Sequence, residues 1–264
     1  MTLATVAKKA IVSLAVMLVA SLTLPLHSLG WAQPNAGQGA TINGVVKFVG
    51  EVPGPQKLQL DHDTIPCRTK AVPDESLVIG REGGIRYAVV TLEGAASGKP
   101  IVPNTTHYLD CQHCRFVPHV LATTVGESVV IRDYDSLYHS LEAVVPGGKS
   151  LASWVVNPRG MTAAQERPTF VPDKPGIIAV ICSAHPWMVA YVVVTDTPYY
   201  AVTDKSGHYQ ISGVPPGHYL LKVWTERLGQ DERNVILVDG SVAKADFAFS
   251  LSGKGAMSDA ASQR

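Results

Sequence analysis

The residues of this sequence best suited to chemistry form a short run of soft metal ligands. Cys182, His185 and Met188 lie within the segment Cys-Ser-Ala-His-Pro-Trp-Met and offer a thiolate, an imidazole and a thioether. One cysteine and two histidines with a weak axial methionine are typical of a type 1 copper site, because sulfur ligands favour Cu(I) whereas imidazoles accept Cu(II). Zinc would fit the same nitrogens and thiolate, but a thioether is a poor zinc ligand. The segment therefore predicts a mononuclear copper site.

The second imidazole of such a site must come from another part of the chain. His139 is the candidate, because it directly follows the segment Asp-Tyr-Asp-Ser-Leu-Tyr and lies between two predicted strands, where loops commonly carry functional side chains. We therefore expect His139, Cys182, His185 and Met188 to bind one type 1 copper ion. The alternative is a copper-free β-sandwich with a buried cysteine and a hydrogen-bonded histidine at these positions.

A second group of cysteines and histidines lies between residues 107 and 119. A c-type haem would need a histidine directly after Cys-Gln-His-Cys, and Arg115 occupies that position. A thioredoxin-like redox pair is disfavoured, because the segment leads into a β-rich run instead of a helix. Two interpretations remain open: a disulfide between Cys67 and one of the two cysteines, preferably Cys114, or a second metal site or outer shell of the copper site. The second interpretation uses Cys111, His113, Cys114 and His119.

The first 32 residues are typical of a cleaved signal peptide. Lys8 and Lys9 precede the apolar run 11–20, and residues 30–32, Gly-Trp-Ala, place small residues around a cleavage point. A proline and a histidine interrupt the apolar run before it reaches the roughly 20 residues of a spanning helix, which disfavours a membrane anchor. We expect an exported, periplasmic protein without a membrane span after cleavage, in a compartment where paired cysteines form disulfides.

The charge balance excludes one class of partner. The chain has 264 residues, and its 22 Lys and Arg residues match its 22 Asp and Glu residues. Because the two signs are interspersed and form no basic stripe, we expect no nucleic-acid partner.

Short β-rich runs separated by turn-forming residues predict an all-β protein. Beyond the N-terminal segment the sequence shows no convincing helical periodicity, and frequent Gly, Pro, Asp and Asn separate the runs, which favours a β-sandwich. The predicted strands are 42–49, 77–79, 85–92, 117–124, 128–132, 140–145, 169–171, 177–181 and 190–195.

We predict two folded units after the signal peptide. The larger spans 33–196 with its core at about 85–196, and the smaller spans 197–250. Within the smaller unit, Thr-Asp-Lys-Ser-Gly-His-Tyr-Gln-Ile and Pro-Pro-Gly-His-Tyr-Leu-Leu-Lys-Val predict a hairpin with alternating inward side chains. This pattern resembles the carboxypeptidase regulatory-like, transthyretin-like domain, which implies a second, smaller β-sandwich.

An alternative organisation stays open for the smaller unit. Residues 42–50 and 85–94 could form its opening strands, with the copper unit inserted between them. Residues 251–264 have little apolar surface to bury and are predicted to be a disordered tail.

The copper-ligand segment carries a second resemblance. Its Cys-x-x-His-Pro-aromatic-Met spacing is similar to that of amicyanins, and the order Phe116-Val-Pro118, Gly126-Glu127, His139, Gly176 resembles plastocyanins, both of the cupredoxin family. The resemblance implies a Greek-key β-sandwich with copper near one end, a ring edge of His185 presented to solvent, and outer-sphere electron transfer through that edge.

Two positions depart from the cupredoxin pattern. Ser140 follows the first ligand where these proteins usually have an asparagine that ties the two ligand loops together, so we expect fewer hydrogen bonds around Cys182 and a shifted reduction potential. Ile178 replaces a common tyrosine, which changes packing more than chemistry.

The resemblance implies an electron carrier with one copper ion and a redox protein partner, such as a c-type cytochrome or a dehydrogenase. An enzyme is disfavoured, because copper oxidases and nitrite reductases need a further open copper site and the remaining histidines form no convincing set. Copper storage, delivery or sensing is the alternative, with residues 107–119 as an additional copper site. A structural or adhesive pair of sandwiches is the third interpretation.

Overall fold

The computed structural model describes residues 37, 39–95, 105–135, 137–156 and 167–254, and the regular structure in these ranges is almost entirely β-strand. The prediction of an all-β fold is confirmed. The predicted signal peptide lies outside the described residues. No helix in the described part of the chain has the length and apolarity needed to cross a membrane.

The strands are short and follow one another closely along the chain. In the N-terminal half they are β1 (Ala40–Phe48), β2 (Lys57–Gln59), β3 (Ala71–Pro73), β4 (Val78–Ile79), β5 (Ile85–Arg86), β6 (Val89–Glu93), β7 (Thr106–Cys111), β8 (Phe116–Val117), β9 (Val120–Thr124), β10 (Ser128–Asp133), β11 (His139–Val145) and β12 (Lys149–Val156). In the C-terminal half they are β13 (Thr169–Phe170), β14 (Gly176–Cys182), β15 (Val189–Thr195), β16 (Tyr200–Val202), β17 (His208–Val214), β18 (Gly217–Thr225), β19 (Gly229–Leu237), β20 (Val242–Lys244), β21 (Phe247–Ser250) and β22 (Gly253–Lys254). A 3-10 turn at Arg81–Gly83 separates β4 from β5.

Strands β7 to β15 form the first sandwich. One sheet has the order β13-β10-β7-β8 and the other the order β12-β11-β14-β15-β9. The chain passes repeatedly between the sheets, since β10 lies between β9 and β11 in sequence but belongs to the opposite sheet, as in Greek-key sandwiches. The core between them is apolar and includes Leu109, Phe116, Ile131, Leu141 and Val192.

The sequence did not predict two strands of this sandwich, β7 and β12. Strand β12 is an edge strand and carries a mostly exposed face, so its side chains lack the apolar alternation that marks a half-buried strand. Strand β7 ends in the cysteine and histidine cluster. It pairs with β10 in parallel, and a parallel pair has no connecting hairpin turn by which the sequence could indicate it.

Strands β1, β6 and β16 to β22 form the second sandwich. Strand β1 pairs antiparallel with β17 and parallel with β21, and β6 pairs antiparallel with β16 and β18. Their shared core contains Ile42, Val46 and Leu92 together with Leu221 and Phe247. Strands β1 and β6 thus lie in the sequence range predicted for the larger unit but pair with strands in the range predicted for the smaller one.

The C-terminal end of the second sandwich extends further than expected. Strand β22 pairs antiparallel with β21, so the chain remains in the sheet up to Lys254, within the segment predicted to be a disordered tail. The rest of that predicted tail lies outside the described residues.

The two sandwiches share an apolar junction. Val89 of the second sandwich packs with Val120, Ala122 and Val193 of the first in one buried cluster. These contacts add to the apolar surface that each small sandwich buries in its own core.

The buried carboxylate of Glu127 fixes the turn between β9 and β10. Its Oε2 accepts hydrogen bonds from the Thr123 hydroxyl (2.8 Å), the Thr124 N–H (2.8 Å) and His107 Nε2 (2.9 Å). Burial alone would raise the pKa of Glu127, but these hydrogen bonds to the ionised form outweigh it and lower the pKa to about 2.

We expect Glu127→Gln to lower the free energy of unfolding at neutral pH by about 3 kcal/mol, because the pKa is lowered from 4.5 to about 2 and each pKa unit corresponds to about 1.4 kcal/mol. Because the pKa of Glu127 is lower in the folded protein, its carboxylate stabilises the fold at pH values above the ordinary pKa. This stabilisation is lost as the pH falls towards about 2. Urea unfolding at several pH values should therefore show the difference from wild type shrinking in acid. Glu51→Gln, at an exposed carboxylate, is the control, and a Glu127 effect independent of pH would contradict the assignment.

Strand β1 offers a matched test of the second sandwich. Ile42 is fully buried in the shared core, whereas the neighbouring Asn43 is exposed. Ile42→Ala is expected to destabilise the protein by about 2–5 kcal/mol, through lost burial and a residual cavity. Asn43→Ala should stay within about 0.5 kcal/mol, measured by urea unfolding. Equal effects would show that β1 does not pack in that core.

Candidate metal centre

Two neighbouring strands bring the predicted ligands to one end of the first sandwich. His139 is the first residue of β11 and Cys182 is the last residue of β14. These strands are antiparallel neighbours in which Leu141 lies opposite Cys182, so the start of one strand meets the end of the other. The register of a single strand pair thus places His139 beside Cys182, although 43 residues separate them.

The loop after Cys182 folds back over it through backbone hydrogen bonds. The His185 N–H donates to the Cys182 carbonyl (3.1 Å), the Met188 N–H donates to the His185 carbonyl (2.8 Å), and the Cys182 N–H donates to the Met188 carbonyl (3.2 Å). Successive turns of this kind return His185 and Met188 to the end of the sandwich at which Cys182 lies.

Three donor atoms converge at this end. The Cys182 Sγ lies 3.7 Å from Nδ1 of His139 and 3.5 Å from Nδ1 of His185. An ion about 2.0–2.1 Å from nitrogen and about 2.3 Å from sulfur, with angles between tetrahedral and trigonal, separates these atoms by about 3.5–3.7 Å. The donor set therefore fits a single metal ion bound by two imidazoles and one thiolate.

The ligand side chains are removed from water. His139, Cys182, His185 and Met188 are 0%, 2%, 1% and 1% exposed, and Cys182 and Met188 belong to the apolar core of the first sandwich. A cysteine sulfur, a thioether and two imidazoles form a ligand set that suits copper. The four residues predicted from the sequence therefore lie at one buried end of the fold.

The imidazole of His139 is held neutral by its surroundings. Burial, reinforced by the nearby His185, lowers the pKa of His139 to about 4, which leaves Nδ1 free to bind a metal at neutral pH. Among the described residues its buried Nε2 has no hydrogen-bond partner. The Asp133 carboxylate lies 3.6 Å from that nitrogen, too far for a hydrogen bond. Burial raises the pKa of Asp133 to about 6.

The two ligand loops are tied together through Ser140. Its backbone carbonyl accepts the Ser183 N–H at 2.8 Å. The cupredoxin resemblance implied an asparagine side chain for this tie and fewer hydrogen bonds around Cys182 where Ser140 replaces it. The main chain of Ser140 supplies a connection that does not depend on the identity of its side chain.

The structure divides the second cysteine and histidine group. Cys67 and Cys114 form a disulfide with a Cα–Cα distance of 5.7 Å, whereas Cys111 is free and buried. Burial raises the pKa of the Cys111 thiol, which therefore stays protonated at neutral pH. Within the described ranges, none of the residue sets that could hold a metal includes Cys111, His113, Cys114 or His119.

Among the described residues, His113 and His119 contact carboxylates and belong to no candidate cluster with the three donor atoms. The backbone N–H groups of His113 and Cys114 each donate to the Asp135 carboxylate at 2.8 Å, which fixes the turn between β7 and β8. His119 Nε2 and Glu226 Oε2 lie 2.5 Å apart in a hydrogen bond between the two sandwiches. The structure does not bring the four residues of the predicted second metal site together.

One expectation about His185 is wrong. The cupredoxin resemblance implied a ring edge open to solvent, but a segment at the tip of the β2-β3 hairpin covers it. We call residues 61–67 of this segment the cap. Asp63 Oδ2 lies 3.1 Å from His185 Nε2, and the ring of His62 stacks on that of His185 with centroids 5.4 Å apart. The disulfide at Cys67 anchors the cap to the first sandwich.

His62 and Asp63 could not be predicted as part of the site, because no motif connects them with the candidate ligand segment. They lie 122 residues before their contacts in that segment, Ala184 and His185. The available signal was the triplet Asp-His-Asp shortly before Cys67, whose predicted disulfide would bring it near residue 114.

Comparisons with known proteins support the architecture at different levels. The family model of the carboxypeptidase regulatory-like domain matches residues 184–250, which confirms the resemblance predicted for the C-terminal unit. No curated protein matches the chain in sequence.

Among solved structures, the chain is similar to a purple cupredoxin from Nitrosopumilus maritimus, with 23% identity, 33% of this chain and 98% of that chain covered, and a TM-score of 0.28. It is also similar to amicyanin from Paracoccus versutus, with 17% identity, 40% and 97% coverage, and a TM-score of 0.29. Because these TM-scores are low, the interpretation of the site depends on its own geometry.

Cysteine accessibility provides a direct test of this arrangement. We expect iodoacetamide to label no cysteine in the native, metal-free protein, since both free thiols are buried. After unfolding without a reductant, peptide mass mapping should find label on Cys111 and Cys182 alone. Labelling of Cys67 or Cys114 before reduction would contradict the disulfide, and reduction followed by labelling of all four cysteines is the control.

Proposed function

We propose that this protein is an exported type 1 copper protein that carries single electrons between redox proteins. The observation that carries the proposal is the buried convergence of His139 Nδ1, His185 Nδ1 and Cys182 Sγ, with Sγ 3.5–3.7 Å from each nitrogen. Met188, three residues after His185 in the ligand segment, would supply the weak thioether ligand of such a site. Copper, when bound, supplies a one-electron couple between Cu(I) and Cu(II).

The protein's own part in this function is to hold one ligand arrangement that suits both oxidation states. The β11–β14 strand pair fixes His139 and Cys182, and the backbone hydrogen bonds of the loop fix His185. Ligands held rigidly by packed strands need little rearrangement when the charge of the bound ion changes by one. Burial of all four side chains excludes water from the site.

The burial of these four side chains also favours an electron carrier over an enzyme. A catalytic copper site keeps a position open for substrate, as catalytic metal sites do in general. The four side chains here are each at most 2% exposed, which supports a role without a bound substrate. We propose a periplasmic location and a redox protein partner, such as a c-type cytochrome or a dehydrogenase, on the basis of the sequence resemblance and the N-terminal segment.

Copper handling remains the second candidate and makes a different prediction about stoichiometry. Storage or delivery through residues 107–119 would require a second copper ion there, but Cys114 is engaged in a disulfide with Cys67. We therefore propose one copper ion per chain. Metal analysis of the purified protein that finds two would favour handling over electron transfer.

We expect residues 33–264 to turn intensely blue on addition of Cu(II), through a thiolate-to-copper absorption band. Cys182→Ala should abolish the band, because it removes the thiolate. Cys111→Ala is the matched control, since Cys111 is the other free, buried cysteine and should leave the band in place. A colourless wild-type protein, or a band that depends on Cys111 instead of Cys182, would refute the proposed function.

A further inference from the structure

The two imidazoles of the proposed copper centre differ in the hydrogen bonding of Nε2, the ring nitrogen that faces away from Cys182. His139 Nε2 is buried and makes no hydrogen bond to any described residue. His185 Nε2 lies 3.1 Å from Oδ2 of Asp63, within hydrogen-bond distance. Because a carboxylate can only accept, this hydrogen bond requires a proton on His185 Nε2. The remaining nitrogen, Nδ1, then has a free lone pair directed at the copper position beside Cys182 Sγ.

The cap that carries Asp63 is fixed at several points. The His62 Nε2–H donates to the Ala184 carbonyl at 2.7 Å, and the His62 ring lies nearly parallel to that of His185, at 18°. At the other end of the cap, the Cys67–Cys114 disulfide joins it to the turn between β7 and β8, where the Cys114 carbonyl accepts the Trp187 indole N–H at 3.1 Å. The cap is therefore connected to the ligand loop from both ends.

The backbone of Asp63 also marks it as a specialised position. Its φ is 49°, in the left-handed region that few residues other than glycine, asparagine and aspartate adopt readily. The Cys67 N–H donates to the Asp63 carbonyl at 3.0 Å, so this conformation is part of the turn that leads to the disulfide. A residue in this sparsely populated backbone region whose side chain meets a metal-ligand candidate is an observation from which a functional role can be inferred.

We propose that Asp63 is a positioning residue for the copper ligand His185: its carboxylate accepts the Nε2–H of His185 and keeps Nδ1 free to bind copper. The inference rests on the proposed function and deepens it. A carboxylate that accepts from a metal-bound imidazole fixes its orientation and raises its basicity. A more basic ligand stabilises the more highly charged ion, so Asp63 favours Cu(II) over Cu(I) and lowers the reduction potential.

The test uses three variants of the full disulfide-bonded chain. Asp63→Gly removes the carboxylate and tolerates the positive φ without strain. Asp63→Asn keeps a hydrogen-bond acceptor and the backbone preference but removes the charge. Asp61→Ala is the matched control, because Asp61 is 79% exposed and contacts His62 instead of His185.

The first measurement needs no copper. In the metal-free protein, at a pH above about 7.5 where imidazoles are neutral, the Nε2–H proton of His185 should be visible by NMR in wild type, Asp61→Ala and Asp63→Asn. In Asp63→Gly it should disappear through exchange with water. A resonance that persists in Asp63→Gly would overturn the inference.

The second measurement compares copper affinity and potential. We expect Asp63→Gly to weaken Cu(II) binding by about tenfold or more, in a competition assay with a chelator, and Asp63→Asn by a smaller factor. Cu(I) binding should change less, so the reduction potential should rise. Asp61→Ala, which leaves the contact between Asp63 and His185 in place, should change all three by less than Asp63→Gly. Equal weakening for both oxidation states would indicate a merely structural role and overturn the inference. A wild-type protein without copper affinity would refute the proposed function, while the NMR measurement would still decide the role of Asp63.

Discussion

The convergence of two imidazole nitrogens and a cysteine sulfur in a dry interior is the constraint on which the rest of this structure depends. Buried polar groups are costly unless they are satisfied, and His139 Nε2 lacks a hydrogen bond to the described residues. A bound copper ion would use the donor atoms that face one another, Nδ1 of each histidine and Sγ of Cys182. The fold must therefore hold together side chains whose contacts with one another contribute little to the free energy of folding.

The fold meets this constraint with one strand pair and one loop. Antiparallel pairing of β11 and β14 sets the position of His139 relative to Cys182, and a shift of one residue would turn one of the two side chains to the opposite face of the sheet. The apolar core beneath, with Leu141 and Met188 fully buried, gives that register its stability. Backbone bonds within the loop and from Ser183 to Ser140 then limit its freedom.

Segments outside the strand pair and the loop cover the site and support it. The cap places Asp63 and His62 over His185, and a disulfide closes the cap onto the same turn that contacts Trp187. The proposed copper centre is consequently separated from solvent at the position where an open histidine edge was expected. The second sandwich packs against the first through an apolar junction and the His119–Glu226 contact, which gives His119 a structural role.

The sequence by itself determined the elements whose signals are local. The candidate ligand residues and their spacing after Cys182, the all-β class and the hairpin at β17 and β18 were all predictable. Each depends on residue type, on alternation over a few residues or on turn chemistry, and these act within a short stretch of chain.

Tertiary structure alone decided the features that join distant segments. Strand β1 enters a sheet with β17 and β21, Asp63 reaches His185, and β7 pairs with β10 in parallel. Contacts of this kind depend on which apolar faces and unpaired strand edges meet when the chain collapses, a choice that no local pattern encodes. His139 stands between the two cases: its position in the chain suggested a ligand, but only the register of β11 on β14 brought its Nδ1 to the sulfur of Cys182.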